Sequence, residues 1–429
     1  MEATTKIFPY LEKLLNGATV QWKKLGEVCE IVTDFTAAGS FANNAKNVKY
    51  LNEPAFALLV RTTDLKQKFC NTGNFVYIDE HAFKYLWRVN LAKESVILPN
   101  VGNCGEVYYT QLDTLPYKNC VLGPNAILLR STNVNNRFLY FLFQCHYFQV
   151  KLSKITSSTG QTKFNKTNLK QIPIPLPPLS VQRKIVEILD KFTELETELE
   201  TELELRKKQY EYYRDKLLSE EYLKTKGATV QWKKLGEVGT FTRGSGLQKK
   251  DFKPSGVGCI HYGQIYTYYG TYTYKTKSFV SEEFALKARK AKHGNLIIAT
   301  TSENDEDVCK AVAWLGDEDI AISSDACFYA HTINPKYIAY YFQTELFQSQ
   351  KRKFITGTKV RRVNANDLAN FLIPLPPLSV QHDIVEILDK FDTLCTSISK
   401  GLPKEIELRR KQYEYYRDKL LSFPKPIEE

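Results

Sequence analysis

No two cysteines in this 429-residue sequence are spaced as CxxC; the nine present (Cys29, Cys70, Cys104, Cys120, Cys145, Cys259, Cys309, Cys327 and Cys395) are scattered singly. That excludes a zinc ribbon and gives no disulfide framework. An odd number of lone thiols, in a chain without a signal peptide, fits buried cysteines in a reducing cytoplasm. Long apolar runs are also missing. Runs such as AILLR and NLIIAT have the length of strands, and none approaches a membrane span.

Signatures of catalysis are equally scarce. STGQTK (158–163) lacks the upstream glycine of a Walker motif, and RGSGLQKK (243–250) has GxG without the third glycine, so it reads as a turn. VGNCGE (101–106) reads as a turn between strands, and the acidic run SENDEDV (302–308) as a solvated loop rather than a nuclease site. The six histidines (His81, His146, His261, His293, His331 and His382) have no metal-ligand spacing. No Asn-Pro-Pro-aromatic or Asp-Pro-Pro-aromatic tetrapeptide, which amino-methyltransferases use to hold a flipped base, occurs. These absences favour a chain that is not itself an enzyme.

The composition points elsewhere. A formal charge of +11 and a pI near 9.0 call for a polyanionic partner, nucleic acid above all. A hydrophobic fraction of 43% with 13% aromatics is that of a folded protein, long enough for two to four domains.

Repetition dominates the chain. GATVQWKKLGEV occupies 17–28 and again 227–238. IPLPPLSVQ opens at Ile174 and Ile373, 199 residues apart, and leads both times into IVEILDKF. LRKKQYEYYRDKLLS (205–219) returns as LRRKQYEYYRDKLLS (408–422). Between these frames, 29–171 and 239–372 show little likeness. One scaffold therefore presents two different surfaces.

The frames read as long helices. Pro177 and Pro178, like Pro376 and Pro377, hold the chain extended, with Ser180 or Ser379 placed to cap the helix beyond. Apolar residues at helical spacing, Ile185, Leu189, Phe192, Leu195, Leu199, Tyr210, Tyr213 and Leu217, predict a helix over about 179–219, roughly 60 Å long. Ile384, Leu388, Phe391, Tyr413, Tyr416 and Leu420 predict its copy. So long a helix needs a partner along its length, and the copy is the obvious one. The first interval holds TELETELETELE (193–204); the second is four residues longer and holds Gly401 and Pro403, predicting a break at 400–403.

The expected fold class is α/β (α+β): two recognition-type domains separated by two long antiparallel spacer helices in a coiled coil, with an internal pseudo-twofold repeat. The boundaries read as an N-terminal helix at 1–19, domains at 20–176 and 227–375, and spacers at 177–226 and 376–429. YLEKLLNGATVQW (10–22) resembles the passage from YYRDKLLS to GATVQW, so each domain is expected to follow a helix end.

Candidate nucleic-acid contacts are basic residues interleaved with small polar ones ahead of each spacer. In the first half these are Lys154, Ser157, Ser158, Thr159, Gly160, Gln161 and Lys163; in the second, Lys351, Arg352, Lys353, Thr356, Gly357, Thr358, Lys359, Arg361 and Arg362. The glycines let backbone amides approach phosphates that the cations neutralise. Arg61, Thr62 and Thr63 stand at a strand end against His261, Tyr262 and Gln264 at the corresponding one, different enough to read different bases. Lys249 and Lys250 are further candidates.

With the doubled IPLPPLSVQ…IVEILDKF, the doubled LR(K/R)KQYEYYRDKLLS and the W…LGEV opening each variable segment, nearly the whole chain resembles the specificity (S, HsdS-like) subunit of type I restriction–modification systems. The resemblance implies target recognition domains that each read half of a bipartite, gapped site in double-stranded DNA. It implies spacers docking two methyltransferase (modification) subunits, and restriction/translocase subunits in the full complex. S-adenosylmethionine, ATP and Mg would then belong to those partners, with no cofactor bound by this chain. The family has no motif for base-reading residues. Two departures stand out: the Gly401/Pro403 interruption, and Arg183-Lys184 against His382-Asp383 after LSVQ. The competing readings are a coiled-coil scaffold binding only proteins and a self-sufficient nuclease or methyltransferase.

Overall fold

A computed structural model of the chain describes residues 8–157, 160–226, 230–397 and 399–424. It forms two compact units: Met1–Thr197 with Leu408–Glu429, and Glu198–Glu407.

In the first unit, β-branched and leucine-rich runs build two sheets. Ile31–Asp34, Ala126–Arg130, Ser95–Pro99 and Tyr108–Thr110 form a four-stranded antiparallel sheet in that order. Tyr77–Ile78, Ala57–Val60 and Cys120–Leu122 form a three-stranded one, the last two parallel. The second unit has the same order: Gly239–Arg243, Ala326–His331, Leu296–Ala299 and Ala311–Trp314, extended by Tyr272–Thr273. Its other sheet runs Ser278–Val280, Val257–Ile260, Ile320–Ile322 and Lys290–Ala291. Register repeats as well: Leu98 pairs with Ile127 and Ile298 with Cys327; Leu59 pairs with Val121 and Cys259 with Ala321. The two unlike segments thus share one fold.

Each segment closes on a short ladder made from the frame. Gln21–Lys24 pairs antiparallel with Pro173–Leu176, and Gln231–Lys234 with Leu372–Leu375. The first spacer is one 39-residue helix, Leu179–Leu217, about 58 Å long. The second comes in two pieces, Leu378–Thr396 and Leu402–Leu420. Between them a Cβ on Gly401 would collide with the carbonyl oxygens of Thr393 and Leu394, so only glycine fits. Pro403 lies in the first turn of the next helix, where its missing N–H costs nothing. The helices begin one residue ahead of Ser180 and Ser379, which sit in the first turn rather than capping it.

Within the first unit the spacers run antiparallel: Phe192 stacks on Tyr416 and meets Tyr413, while Glu196 pairs with Arg410 at 2.6 Å. Within the second, Tyr210 and Tyr213 stack on Phe391. Ile185, Leu189, Tyr413 and Leu420 are buried in one core, and Tyr210, Leu217, Ile384 and Leu388 in the other. Leu199 is half-buried. Leu195 departs from the expected stripe at 47% exposed, because its helix turns Glu196 toward Arg410 instead.

The stretches FALLVRTTDL and GCIHYGQIY each run from a four-residue strand into a helix, at Thr62–Lys66 and Tyr262–Thr267. Two helices precede each frame, Asn136–Gln144 with His146–Ile155 and Pro335–Tyr341 with Glu345–Arg352. Of the N-terminal 1–19 helix, residues 1–7 lie outside the described residues and Pro9–Leu15 is helical. Its counterpart is the short Glu220–Thr225 helix, inside the passage from YYRDKLLS to GATVQW: Leu11 and Leu223 are each buried in their unit's core.

Candidate nucleic-acid interface

The buried strands Ala57–Val60 and Val257–Ile260 end on Arg61 and His261, each the cap of the short helix next in the chain. Asp64 Oδ2 accepts the Arg61 backbone N–H at 2.8 Å, and Gln264 Oε1 that of His261 at 3.0 Å. Beyond the shared frame the chemistry diverges.

The Arg61 guanidinium is spent internally. Nε and Nη2 donate to Asp64 at 3.0 and 2.7 Å, and Nη2 also reaches the Asn74 carbonyl at 2.6 Å. The Asp64 bonds push its pKa up further. The amide of Gln264 is likewise engaged, its Nε2 donating to Ser278 Oγ at 2.7 Å. Neither residue has the unoccupied fork that base reading needs. His261 differs. Its Nδ1 accepts from the Gly263 N–H at 3.3 Å, which places the neutral ring's proton on Nε2. Burial, reinforced by the charge of Lys249, lowers its pKa and favours that neutral donor.

His261 and Tyr262 line a cleft of about 720 Å³ together with Lys249, Lys277, Glu303 and Asn304. The 302–308 run forms part of its wall, with Val360 from the basic hairpin. In the first unit the matching 101–106 turn is tied to the matching helix: Lys66 Nζ and Tyr108 Oη donate to Glu106 at 2.6 and 2.5 Å. Burial raises the Glu106 pKa, but these two bonds together hold it below the usual carboxylate range.

The basic stretches fold as hairpins against these turns. Ser157 N–H donates to the Lys163 carbonyl, and Gly102 N–H to that of Thr162, both at 2.9 Å. Thr356 and Arg362 exchange two backbone bonds of 2.9 Å, and Thr301–Ser302 pairs with Arg361–Arg362. Gly160 and Gly357 take φ of 77° and 89°, and a Cβ on Gly357 would collide with the Val360 carbonyl oxygen, so that turn requires glycine. Each unit therefore brings strand end, turn and hairpin together.

Among the sequence candidates, Thr63, Lys154, Gly160, Gln161, Lys163, Lys249, Lys250, Lys353, Thr356, Gly357, Thr358, Lys359 and Arg362 are exposed. Thr62, Ser157 and Tyr262 are half-buried. Ser158 and Thr159 lie outside the described residues. Arg352 pairs with Glu345, and Arg361 with Asp305. Lys351 cannot meet phosphate at all: it is 1% exposed, and its ammonium donates to the carbonyls of Asp305, Glu306 and Val308 at 2.7, 3.1 and 3.1 Å. Glu303, Asn304 and Asp307, from the acidic run read above as a solvated loop, line the cleft, as do Lys277 and Ser278, which no sequence motif marks. The signal for the acidic run is positional: SENDEDV follows the Leu296–Ala299 strand as VGNCGE follows Ser95–Pro99. Among the described residues, no group of three or more His, Cys, Asp or Glu is placed to hold a metal, and no helix is long and apolar enough to cross a membrane.

The family model described as "Type I restriction modification DNA specificity domain" matches residues 18–205 and again 228–408. The specificity subunit of the type I restriction enzyme EcoR124I/EcoR124II from Escherichia coli is 30% identical over 428 residues, covering 97% of this chain and 98% of that protein. The putative specificity subunit S.HindORF215P from Haemophilus influenzae is also 30% identical, over 438 residues, 96% of this chain and 98% of its own. A structure solved in work on complex assembly and conformational transition of the type I R-M system has a TM-score of 0.56 at 15% identity, covering 94% of this chain and 98% of that one, which supports the fold. The chain belongs to the type I restriction–modification DNA specificity family, whose domain it carries twice.

Proposed function

We propose that this chain is the DNA-reading subunit of a type I restriction–modification complex. Its recognition domains, 20–176 and 227–375, each read one half of a bipartite, gapped site in double-stranded DNA. The spacers, 177–226 and 376–429, set the gap and dock two methyltransferase subunits. Methyl transfer and cleavage, with S-adenosylmethionine, ATP and Mg, fall to those subunits and to restriction/translocase subunits, and the chain works in the cytoplasm as a non-catalytic component.

One observation carries the reading: two segments of unlike sequence share strand order and register, yet differ at the strand end, a self-paired Arg61 against a neutral His261 donor. A repeated frame around changed contact chemistry is what reading two different half-sites requires. The basic hairpins beside both strand ends supply the phosphate contacts, which favours DNA readout over a scaffold binding only proteins.

Genome-wide mapping of methylated sites in a host expressing the chain with its methyltransferase partner tests it. Two short motifs separated by a fixed gap are expected. A single uninterrupted motif overturns the two-domain reading, and methylation by the isolated chain overturns the non-catalytic one.

A further inference from the structure

The 302–308 turn sets an electrostatic problem. It carries Glu303, Asp305, Glu306 and Asp307 in a chain of net charge +11, beside the cleft we read as facing DNA. Carboxylates there repel phosphates. They suit a DNA-facing wall when they reach base edges, where an Asp, Glu or Asn oxygen accepts from the exocyclic amino group of cytosine or adenine. An acceptor that discriminates between bases must also be held still, because a mobile one follows whichever donor is present.

Lys351 supplies the hold. Its three N–H donors meet three backbone carbonyls of the turn, at Asp305, Glu306 and Val308, so no donor remains for any other ligand. From the hairpin, Arg361 Nε clamps the Asp305 carboxylate at 2.8 Å. The turn leaves through Cys309, which is buried and held in the left-handed region at φ 67°, a conformation that persists only where its surroundings enforce it. In the first unit the matching turn is held without a buried cation: Gln149 Nε2 donates to the Gly105 carbonyl at 3.0 Å, and the exposed Lys66 and half-buried Tyr108 hold the Glu106 carboxylate. Burial lowers the Lys351 pKa, the cost that three carbonyls offset.

We propose that Lys351 is the positioning residue for the second half-site: its buried ammonium fixes the 302–308 turn, which Asn304 braces through its two bonds to Asp307, so that Glu303 presents an acceptor to a base edge opposite the His261 donor. The inference rests on the DNA-reading function proposed above. It assigns the position facing Glu303 a base that carries an exocyclic amino group on its major-groove edge, adenine or cytosine rather than guanine or thymine on that strand, with the discrimination set by a residue that never touches DNA.

The test uses the assembled complex with its methyltransferase partner, and DNA libraries randomised in one half-site at a time. Lys351→Met, which keeps the apolar stem but cannot donate, is expected to lower discrimination at the second half-site by roughly 5- to 150-fold, the value of one good base contact. Discrimination at the first half-site stays as in the wild type, and Lys351→Arg recovers part of the loss. Because Lys351→Met could unfold the second unit, Glu303→Gln, which changes the presented acceptor, and Asn304→Ala, which removes the two bonds to Asp307 that brace the turn, are measured in parallel; both positions are exposed, and both variants are expected to shift preference at the same base pair. Unchanged preference in both surface variants overturns the proposal, as does equal loss at both half-sites with Lys351→Met. A wild-type complex without two separate half-sites overturns instead the function on which it rests.

Discussion

Gln381 Oε1 accepts a hydrogen bond from the backbone N–H of Asn334 at 2.9 Å, inside the second unit's core. Its Nε2 donates to the Pro376 carbonyl at 2.9 Å, and Gln182 makes the same pair of bonds to Asn135 and Pro177 at 3.1 and 2.8 Å. The glutamine of IPLPPLSVQ thus joins the start of a spacer helix to the cap of the helix packed under the sheet. Gln381→Leu orphans two buried backbone groups and should destabilise the second unit by roughly 2–4 kcal/mol. Denaturant unfolding of the full chain checks this; wild-type stability in the variant would show the bonds are replaceable by packing.

Acidification should weaken the second unit through His331. Its Nδ1 lies 3.1 Å from the Ile333 carbonyl, which can only accept, so the neutral ring carries its proton there. Nε2 is buried with no hydrogen-bond partner among the described residues, and burial pushes the pKa down to about 4. The folded pKa lies below the unfolded value of about 6.5, so the unfolded chain binds the proton more readily. Stability is therefore highest above pH 6.5 and falls, by up to roughly 3 kcal/mol, as pH drops toward 4. Melting curves across that window should show a shallower loss for His331→Phe than for the wild type.

Lys359 and Arg362 are exposed on the second hairpin and should act as plain phosphate contacts. Replacing either by alanine should weaken binding alike on matched and mismatched DNA. The log–log dependence of affinity on salt should flatten by roughly 0.9 for each phosphate no longer neutralised. Lys351→Met, buried and without a phosphate, should leave that slope unchanged.

The TELE units at 193–204 lie inside one unbroken helix. Deleting one unit removes about 6 Å. Both half-site sequences should persist while the gap between them shortens by one or two base pairs of about 3.4 Å each. Methylome sequencing that returns the parental gap would sink the role of this helix as a ruler.

Much of the frame was legible because its signals are local. Repeated IPLPPLSVQ marks two helix entrances, and Gly401 with Pro403 marks an interruption whose glycine the structure places between Thr396 and Leu402. The common fold of the variable segments was not legible. Sheet register depends on pairs such as Leu98–Ile127 and Ile298–Cys327, apolar in both units but unlike in sequence, and no short window holds both partners. Lys351 misled because it sits in a KRK run, which reads as a solvated cationic tip. Helical spacing carried the opposite signal: Phe347, four residues earlier, is also buried, so Lys351 shares its inward face. Arg61 misled in the same way, since the Asp three residues on claims its guanidinium.

The two four-residue ladders at the base of the variable segments have a consequence for how such a chain changes. Gln21 faces Leu176 and Gln231 faces Leu375, so each insert enters and leaves through a neck only two strands wide, built from QWKK in both copies. The chain entropy of the insert beyond the neck enters only logarithmically: lengthening it from about 150 to about 200 residues adds about 0.3 kcal/mol of closure entropy. What a foreign insert must reproduce is its face toward the spacer, a helix cap for Gln182 or Gln381 and apolar residues around Ile185 and Leu189 or Ile384 and Leu388, while the rest of its length is free to change with the half-site.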